Sequence, residues 1–179
     1  MAGEAGLPLA EVTPEQEAEE DTRQSLYEVM ELAQQFFETE LQSARGASAR
    51  GYLADRGLPT AVQREFRLGY APDDRGALRS HLAAANVKLD SMVEAGLVVT
   101  GDDIPVAYDR FRHRVTFPIT DTKGRTIAFG ARALDPDAPA KYLNSPETPL
   151  FHKGAVLFNA ARARPKAHET GRVIAVEGY

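Results

Sequence analysis

Three arginines stand at alternate positions in Arg110-Phe111-Arg112-His113-Arg114. On a β-strand alternate side chains share a face, so three guanidinium groups would gather around an aromatic ring. Such a face repels itself unless it meets an anion or nearby acids. It is therefore either a phosphate-facing surface or a solvated face laced with salt bridges. A second candidate is Arg132, two residues after the glycine of Phe129-Gly130-Ala131-Arg132. A glycine within a strand lets a ligand or another backbone come close, so Arg132 is either a phosphate clamp beside that gap or a surface arginine next to a bulge. The third is Lys141-Tyr142-Leu143-Asn144-Ser145-Pro146-Glu147-Thr148, followed by Phe151-His152-Lys153-Gly154. Lys141 and Lys153 bring charge for phosphate, Tyr142 a ring for a base and Asn144 an amide. That mixture holds a nucleotide or a single strand, and a purely structural loop is the rival reading.

Other chemistries are closed off by what the chain lacks. It has no cysteine, which removes disulfides and thiolate metal sites, and its four scattered histidines form no pair of metalloprotease spacing, so zinc is not expected in this chain. No Gly-rich phosphate loop of the Walker or dinucleotide type is present, and no run approaches the roughly 20 apolar residues of a membrane span. With no signal-like N-terminus either, the cytoplasm is the default compartment. The net charge of −5 would speak against a nucleic-acid partner, but residues 1–22 hold seven acids and no Lys or Arg. Taking those seven from the 26 acids leaves 19 against 21 bases, so the remainder is slightly basic.

The elements that must position these residues are readable in outline. Residues 1–21 read as a linker or tail, although Thr13, Pro14 and Gln16 form a plausible helix start. Leu26, Val29, Met30, Ala33, Phe36, Phe37 and Leu41 then recur at three and four residues, the mark of a long helix burying one stripe. Short helices are expected over 48–56 and from a Thr60–Gln63 capping box that pairs Val62 with Phe66. Others should span 77–85 and, capped by Asp90 and stopped by Gly96, 91–95. From Leu97 the texture turns to strands. Val115, Phe117 and Ile119 alternate with Arg114, Thr116 and Pro118, then Asp121-Thr122-Lys123-Gly124 turns the chain into a second strand over 125–134. Pro118 suggests that the first of these strands lies at a sheet edge. Residues 135–153 show no clear period, and Arg172-Val173-Ile174-Ala175-Val176 reads as a strand covered on both faces. The fold class is α+β, with a mostly helical first half, a small sheet with a hairpin, and a final strand.

The run RFRHRVTFPITDTKGRTIAFGARAL, followed in order by KYLNSPET, FHKG and VEGY, resembles the bacterial DnaG-type DNA primases. Upstream, RQSLYEVMELAQQFF, ARGYLADRGL and LGYAPDD are similar to the same family. The resemblance covers nearly the whole chain from about Thr22 onward. It implies that residues 22–170 are the N-terminal subdomain of the RNA-polymerising core, and residues 171–179 the first strand of a truncated, magnesium-binding Toprim domain. It further implies that Arg132, Lys141, Tyr142, Asn144 and Lys153 line a groove for single-stranded DNA template, RNA primer and nucleoside triphosphates. Glu177 matches the first Toprim carboxylate, a metal-binding or acid/base residue at the end of an apolar segment, where α/β sheets place ligand chemistry. Magnesium held by one carboxylate stays mostly hydrated, so the expectation is a fragment inactive by itself. The family's zinc module has no counterpart here, and contact with a replicative helicase would run through parts this chain lacks. A cytoplasmic, nucleoid-associated monomer is expected. A non-catalytic nucleic-acid or nucleotide-binding module, and a scaffold that docks a neighbouring domain, are the readings of other classes.

Overall fold

The computed structural model describes residues 14–177, and for residues 14–19 only the helical backbone; the first thirteen residues, with the Thr13 cap, and residues 178–179 lie outside it. The chain opens on α1 (Pro14–Gln42). All seven residues of its apolar stripe are buried. Leu26 to Phe37 of that stripe lie on a four-stranded antiparallel sheet ordered β1-β4-β5-β6, with β1 at Gly69–Ala71, β4 at Arg114–Thr120, β5 at Thr126–Ala133 and β6 at Tyr142–Asn144. Phe37 meets Phe129 and Phe111 edge-on at 5.2 and 6.4 Å between centroids, the arrangement aromatic quadrupoles favour. Contact with β1 is so close that a Cβ on Gly69 would stand 2.5 Å from that of Phe37, which explains a glycine inside this strand.

The opposite sheet face carries a second, smaller core. Tyr70 of β1 and Val115 of β4 pack there with Leu53, Ala49, Leu41 and Leu68. Leu53 and Ala49 come from α2 (Ala47–Asp55), and α3 (Thr60–Glu65) leads into β1. Beyond β1 come α4 (Ala77–Ala84), α5 (Leu89–Glu94) and a two-stranded ribbon of β2 (Val98–Val99) with β3 (Tyr108–Asp109). The buried Asp109 carboxylate accepts hydrogen bonds from the backbone N–H of Leu78 and Arg79 at 2.8 and 3.0 Å, capping α4 from a distance in sequence. Burial pushes that carboxyl's pKa upward against those bonds.

Several sequence expectations change. The N-cap of α3 is Pro59, extended at φ −66°, and the Gln63 amide donates to Leu58 O at 2.7 Å, so no Thr60–Gln63 capping box forms. Asp90 lies inside the first turn of α5, whose cap is Lys88; it meets the helix dipole but caps nothing. Strand β4 is internal, because the three-residue β1 pairs with Arg114–Thr116 and has ended before Pro118 is reached. Both faces of the sheet are covered, so burial along β4 does not alternate cleanly. The expected strand at 172–176 forms no ladder among the described residues: Val173, Ile174 and Val176 are largely exposed, and a strand needs a neighbour to pair with. Before it runs α6 (Ala160–Thr170), which the helix-disfavouring Pro165 hides from a sequence reading. The hairpin is as expected. Asp121 accepts from the N–H groups of Lys123 and Arg125, each at 2.9 Å, and Gly124 takes the left-handed φ of 82° that the turn requires.

Candidate nucleic-acid interface

Strand register decides which candidate residues meet. Tyr70, Val115, Arg132 and Tyr142 are successive partners across the four strands, and Phe117, Gly130 and Asn144 form the next row two residues along. Side chains in these rows share one sheet face, the face on which α2 packs. Arg132, Tyr142 and Asn144 are thereby brought together by β5 and β6, with no side chain at Gly130 between Phe117 and Asn144. The Tyr-Leu-Asn segment is thus ordered strand rather than the irregular stretch its sequence suggests. Ser145 extends the pairing, since its N–H donates to Phe129 O at 2.9 Å and its Oγ accepts from Phe129 N–H at 3.0 Å.

Around Arg132, cations and rings alternate. Its guanidinium lies 5.4 Å from the Tyr142 centroid and 5.7 Å from that of Tyr52, a residue of α2. Arg56 sits 5.0 Å over Tyr52, and Lys141 Nζ 6.0 Å over Tyr142. These are cation–π distances. Among the described residues, none of Arg56, Lys141 and Arg132 has a carboxylate within ion-pair reach. Arg132 donates through one terminal nitrogen to Ala133 O, while its buried Nε has no hydrogen-bond partner. Tyr142 is 56% exposed, so this strip opens to solvent. Tyr52 and Arg56 were missed in the sequence. Their signals were i, i+4 spacing and a place in the family-like run ARGYLADRGL, and their meeting with Arg132 depends on how α2 lies over the sheet.

The three alternating arginines go elsewhere. Arg110 and Arg112 precede β4 in irregular chain, and His113 between them and the strand takes φ 50°, which breaks the expected alternation. Arg114 pairs with Ala133 and so points to the sheet face opposite Arg132. All three nevertheless line one hollow of about 300 Å³, with His113, Asp73 and Asp135. Arg110 donates twice to Asn144 O, at 3.1 and 3.0 Å, and burial holds its pKa below the ordinary value. Arg112 donates to Asp109 O at 3.1 Å and lies 4.8 Å over Tyr108; Arg114 donates to Lys141 O at 3.5 Å. Arg110 thus holds β6 through the Asn144 carbonyl, and Arg114 reaches the Lys141 carbonyl just before it.

Lys153 stands exposed on a 3-10 turn (Lys153–Ala155) that Glu147 ties back to the Ser-Pro-Glu-Thr segment. The Glu147 carboxylate accepts from Lys153 N–H at 3.0 Å and meets His152 Nδ1 at 3.0 Å, and these bonds hold its pKa below the usual range. Glu177 is exposed. No set of three His, Cys, Asp or Glu able to hold a metal ion occurs among the described residues, so they do not fit a magnesium site.

The family model described as the DNA primase catalytic core, N-terminal domain, matches residues 36–164. The chain belongs to the DnaG-type DNA primases. It is 46% identical over 160 residues to a DNA primase of Pseudomonas aeruginosa, covering 88% of this chain and 24% of that protein. To a DNA primase of Escherichia coli it is 42% identical over 161 residues, covering 90% and 27%. Among solved structures it matches a DnaG primase catalytic domain bound to ssDNA with a TM-score of 0.79 and 42% identity, covering 89% of this chain and 49% of that one. The RNA polymerase domain of Mycobacterium tuberculosis primase DnaG, in complex with a double-stranded DNA oligomer bearing a 6-nucleotide overhang, matches at 0.80 with 35% identity, covering 86% and 48%. The chain thus spans about a quarter of the curated primases it matches and about half of the solved primase chains. The described helices include none long and apolar enough to cross a membrane.

Proposed function

We propose that this chain supplies the template- and nucleotide-binding groove of an enzyme that lays short RNA primers on single-stranded DNA during replication. The observation that carries the reading is the strip in which Arg132 lies between Tyr52 and Tyr142, with Arg56 and Lys141 at its ends. Cations without carboxylate partners suit phosphate oxygens, and an exposed ring suits any base, which is how single strands are held without sequence preference. The similarity to a DnaG primase catalytic domain bound to ssDNA supports the reading, because that domain shares this fold. In this assignment Arg132, Lys141, Asn144 and Lys153 place template and triphosphate for in-line attack, and Tyr142 stacks a base. The hollow of Arg110, Arg112 and Arg114 takes a further stretch of phosphate backbone along the far side of β6. The described residues gather no magnesium site. Glu177 is assigned as one carboxylate of a metal centre whose other ligands are not among them, and the 179-residue chain alone is expected to make no primer.

The test is a titration of a fluorescein-labelled oligothymidylate with the chain at several salt concentrations. Weak, sequence-tolerant binding is expected, with a dissociation constant of about 10⁻⁴–10⁻⁶ M near physiological salt. Contacts to roughly three to five phosphates give a log–log salt slope of about −2 to −3.5. No affinity at low salt, or affinity indifferent to salt, would overturn the groove and favour a docking scaffold. Template-dependent RNA made by the chain alone would overturn the division of labour.

A further inference from the structure

Tyr52 is given no role by the sequence analysis, yet it closes one side of the strip. It sits half-buried on α2, packed against the second core, and reaches Arg132 from above the sheet while Tyr142 reaches it from β6. Two rings from two elements therefore flank one guanidinium. Arg132 has several rotatable bonds, one hydrogen bond to the neighbouring Ala133 carbonyl, and a buried Nε that bonds to nothing. Without the rings little would fix its head. A carboxylate could do so, but would neutralise the charge and occupy the N–H groups that a phosphate needs. An aromatic face fixes the cation while leaving both available. We propose that Tyr52 is the positioning residue for Arg132, holding its guanidinium against Tyr142 in the orientation that receives a phosphate of single-stranded nucleic acid. Arg56 shares the same ring at 5.0 Å, so Tyr52 acts through its cations rather than by stacking a base. The inference rests on the groove reading above.

The experiment compares the chain with Tyr52→Phe, Tyr52→Leu and Tyr52→Met, alone and with Arg132→Ala, in oligothymidylate titration and thermal melting. Phe keeps the aromatic face, while Leu and Met keep apolar volume against the core but remove that face; two such variants guard against one failing to fold. Tyr52→Phe is expected to bind like the parent, and Tyr52→Leu and Tyr52→Met about fivefold more weakly, a single cation–π contact's worth. In the Arg132→Ala background most of that loss should disappear, with Arg56 alone left on the ring. Parent-like binding by the Leu and Met variants, a full effect without Arg132, or an equal loss in Tyr52→Phe would each overturn the proposal. Should the parent chain itself show no salt-dependent binding, the groove reading falls separately. The Nε–Hε resonance of Arg132 in a nitrogen–proton correlation spectrum then decides the positioning role. Ring currents should shift it in parent and Tyr52→Phe and release it in Tyr52→Leu, and an unmoved signal would overturn the positioning role.

Discussion

Arg67 and Arg132 are both half-buried at the margins of one sheet, and they are held in opposite ways. Arg67, just before β1, spans two carboxylates of α1. It meets Glu31 at 2.8 and 3.0 Å and Glu38 twice at 3.0 Å, and these bonds raise its pKa above the ordinary value. Its backbone takes the left-handed φ of 53°, and its carbonyl accepts from the buried Gln34 amide at 2.6 Å. Arg132 has rings on two sides and no carboxylate. A cation whose charge and donors are used up within the fold belongs to stability. One held in place with its charge uncompensated is set for an anion from outside.

The largest effect that should separate the two is on stability. Arg67→Ala removes four charge-assisted hydrogen bonds and leaves Glu31 and Glu38 facing each other without a counter-ion. Because the Arg67 side chain is 35% exposed, solvent screening reduces the loss to about 1–2 kcal/mol, between surface and buried pairs. Chemical denaturation should show that loss, while oligothymidylate affinity per folded molecule stays at the parent value. Parent-like stability would mean that the α1 network is decoration and that the contrast fails.

Arg132→Ala should do the reverse. Stability should fall by about 1 kcal/mol or less, since no ion pair is broken and only two cation–π contacts and one hydrogen bond are lost. Affinity for the oligothymidylate should fall about tenfold, close to 1.4 kcal/mol. In a full-length DNA primase carrying the same change, primer synthesis should fall by at least about tenfold as well. Should the variant instead melt early while activity per folded molecule survives, Arg132 is a structural residue.

These two arginines also show what a sequence can and cannot disclose. The α1 stripe was legible because Leu26 to Leu41 keep a helical period, and the β4–β5 hairpin because Asp121 and Gly124 are the residues its turn needs. Candidates at Arg132, Tyr142 and Asn144 were legible by type, and register does place them on one face. The rest depends on contacts distant in sequence. Nothing local tells that three residues at Gly69–Ala71 will pair with β4 and make it internal, or that Glu31 and Glu38 await Arg67 across some 30 residues. The arginine triplet misled because alternation presumes a strand, and His113, held at 3.0 Å from the Tyr70 hydroxyl with positive φ, delays the start of β4 to Arg114, two residues too late for Arg112 to join it.

A smaller effect follows from acid. Hydrogen bonds from Arg67 are the leading cause that lowers the Glu31 pKa. A carboxyl held low in the folded state contributes stability in full above its unfolded value, about pH 4, and loses it as pH falls through the folded value. Melting temperature should therefore drop on acidification below about pH 4, and Arg67→Ala should flatten that drop. Arg132→Ala, with no carboxylate partner, should leave the acid limb unchanged; a matching change in both variants would break the contrast.

The smallest effect concerns Lys153, the outermost cation assigned to the groove. Its side chain is exposed, and the turn that carries it is held by the backbone N–H of Lys153 on Glu147, a bond that survives replacement of the side chain. Lys153→Ala should thus melt within roughly 0.5 kcal/mol of the parent. If Lys153 meets one phosphate, its removal should make the log–log salt slope for oligothymidylate shallower by about 0.7, the counterion yield of one contact on a single strand. The loss of affinity should be largest at low salt and shrink as salt rises, because counterion release weakens with it. Glu147→Gln supplies the control. It removes a neighbouring negative charge while an amide oxygen can still accept from Lys153 N–H, so affinity should rise slightly with the slope unchanged. A slope indifferent to Lys153→Ala would place Lys153 off the phosphate path and restrict the groove to the strip between α2 and β6.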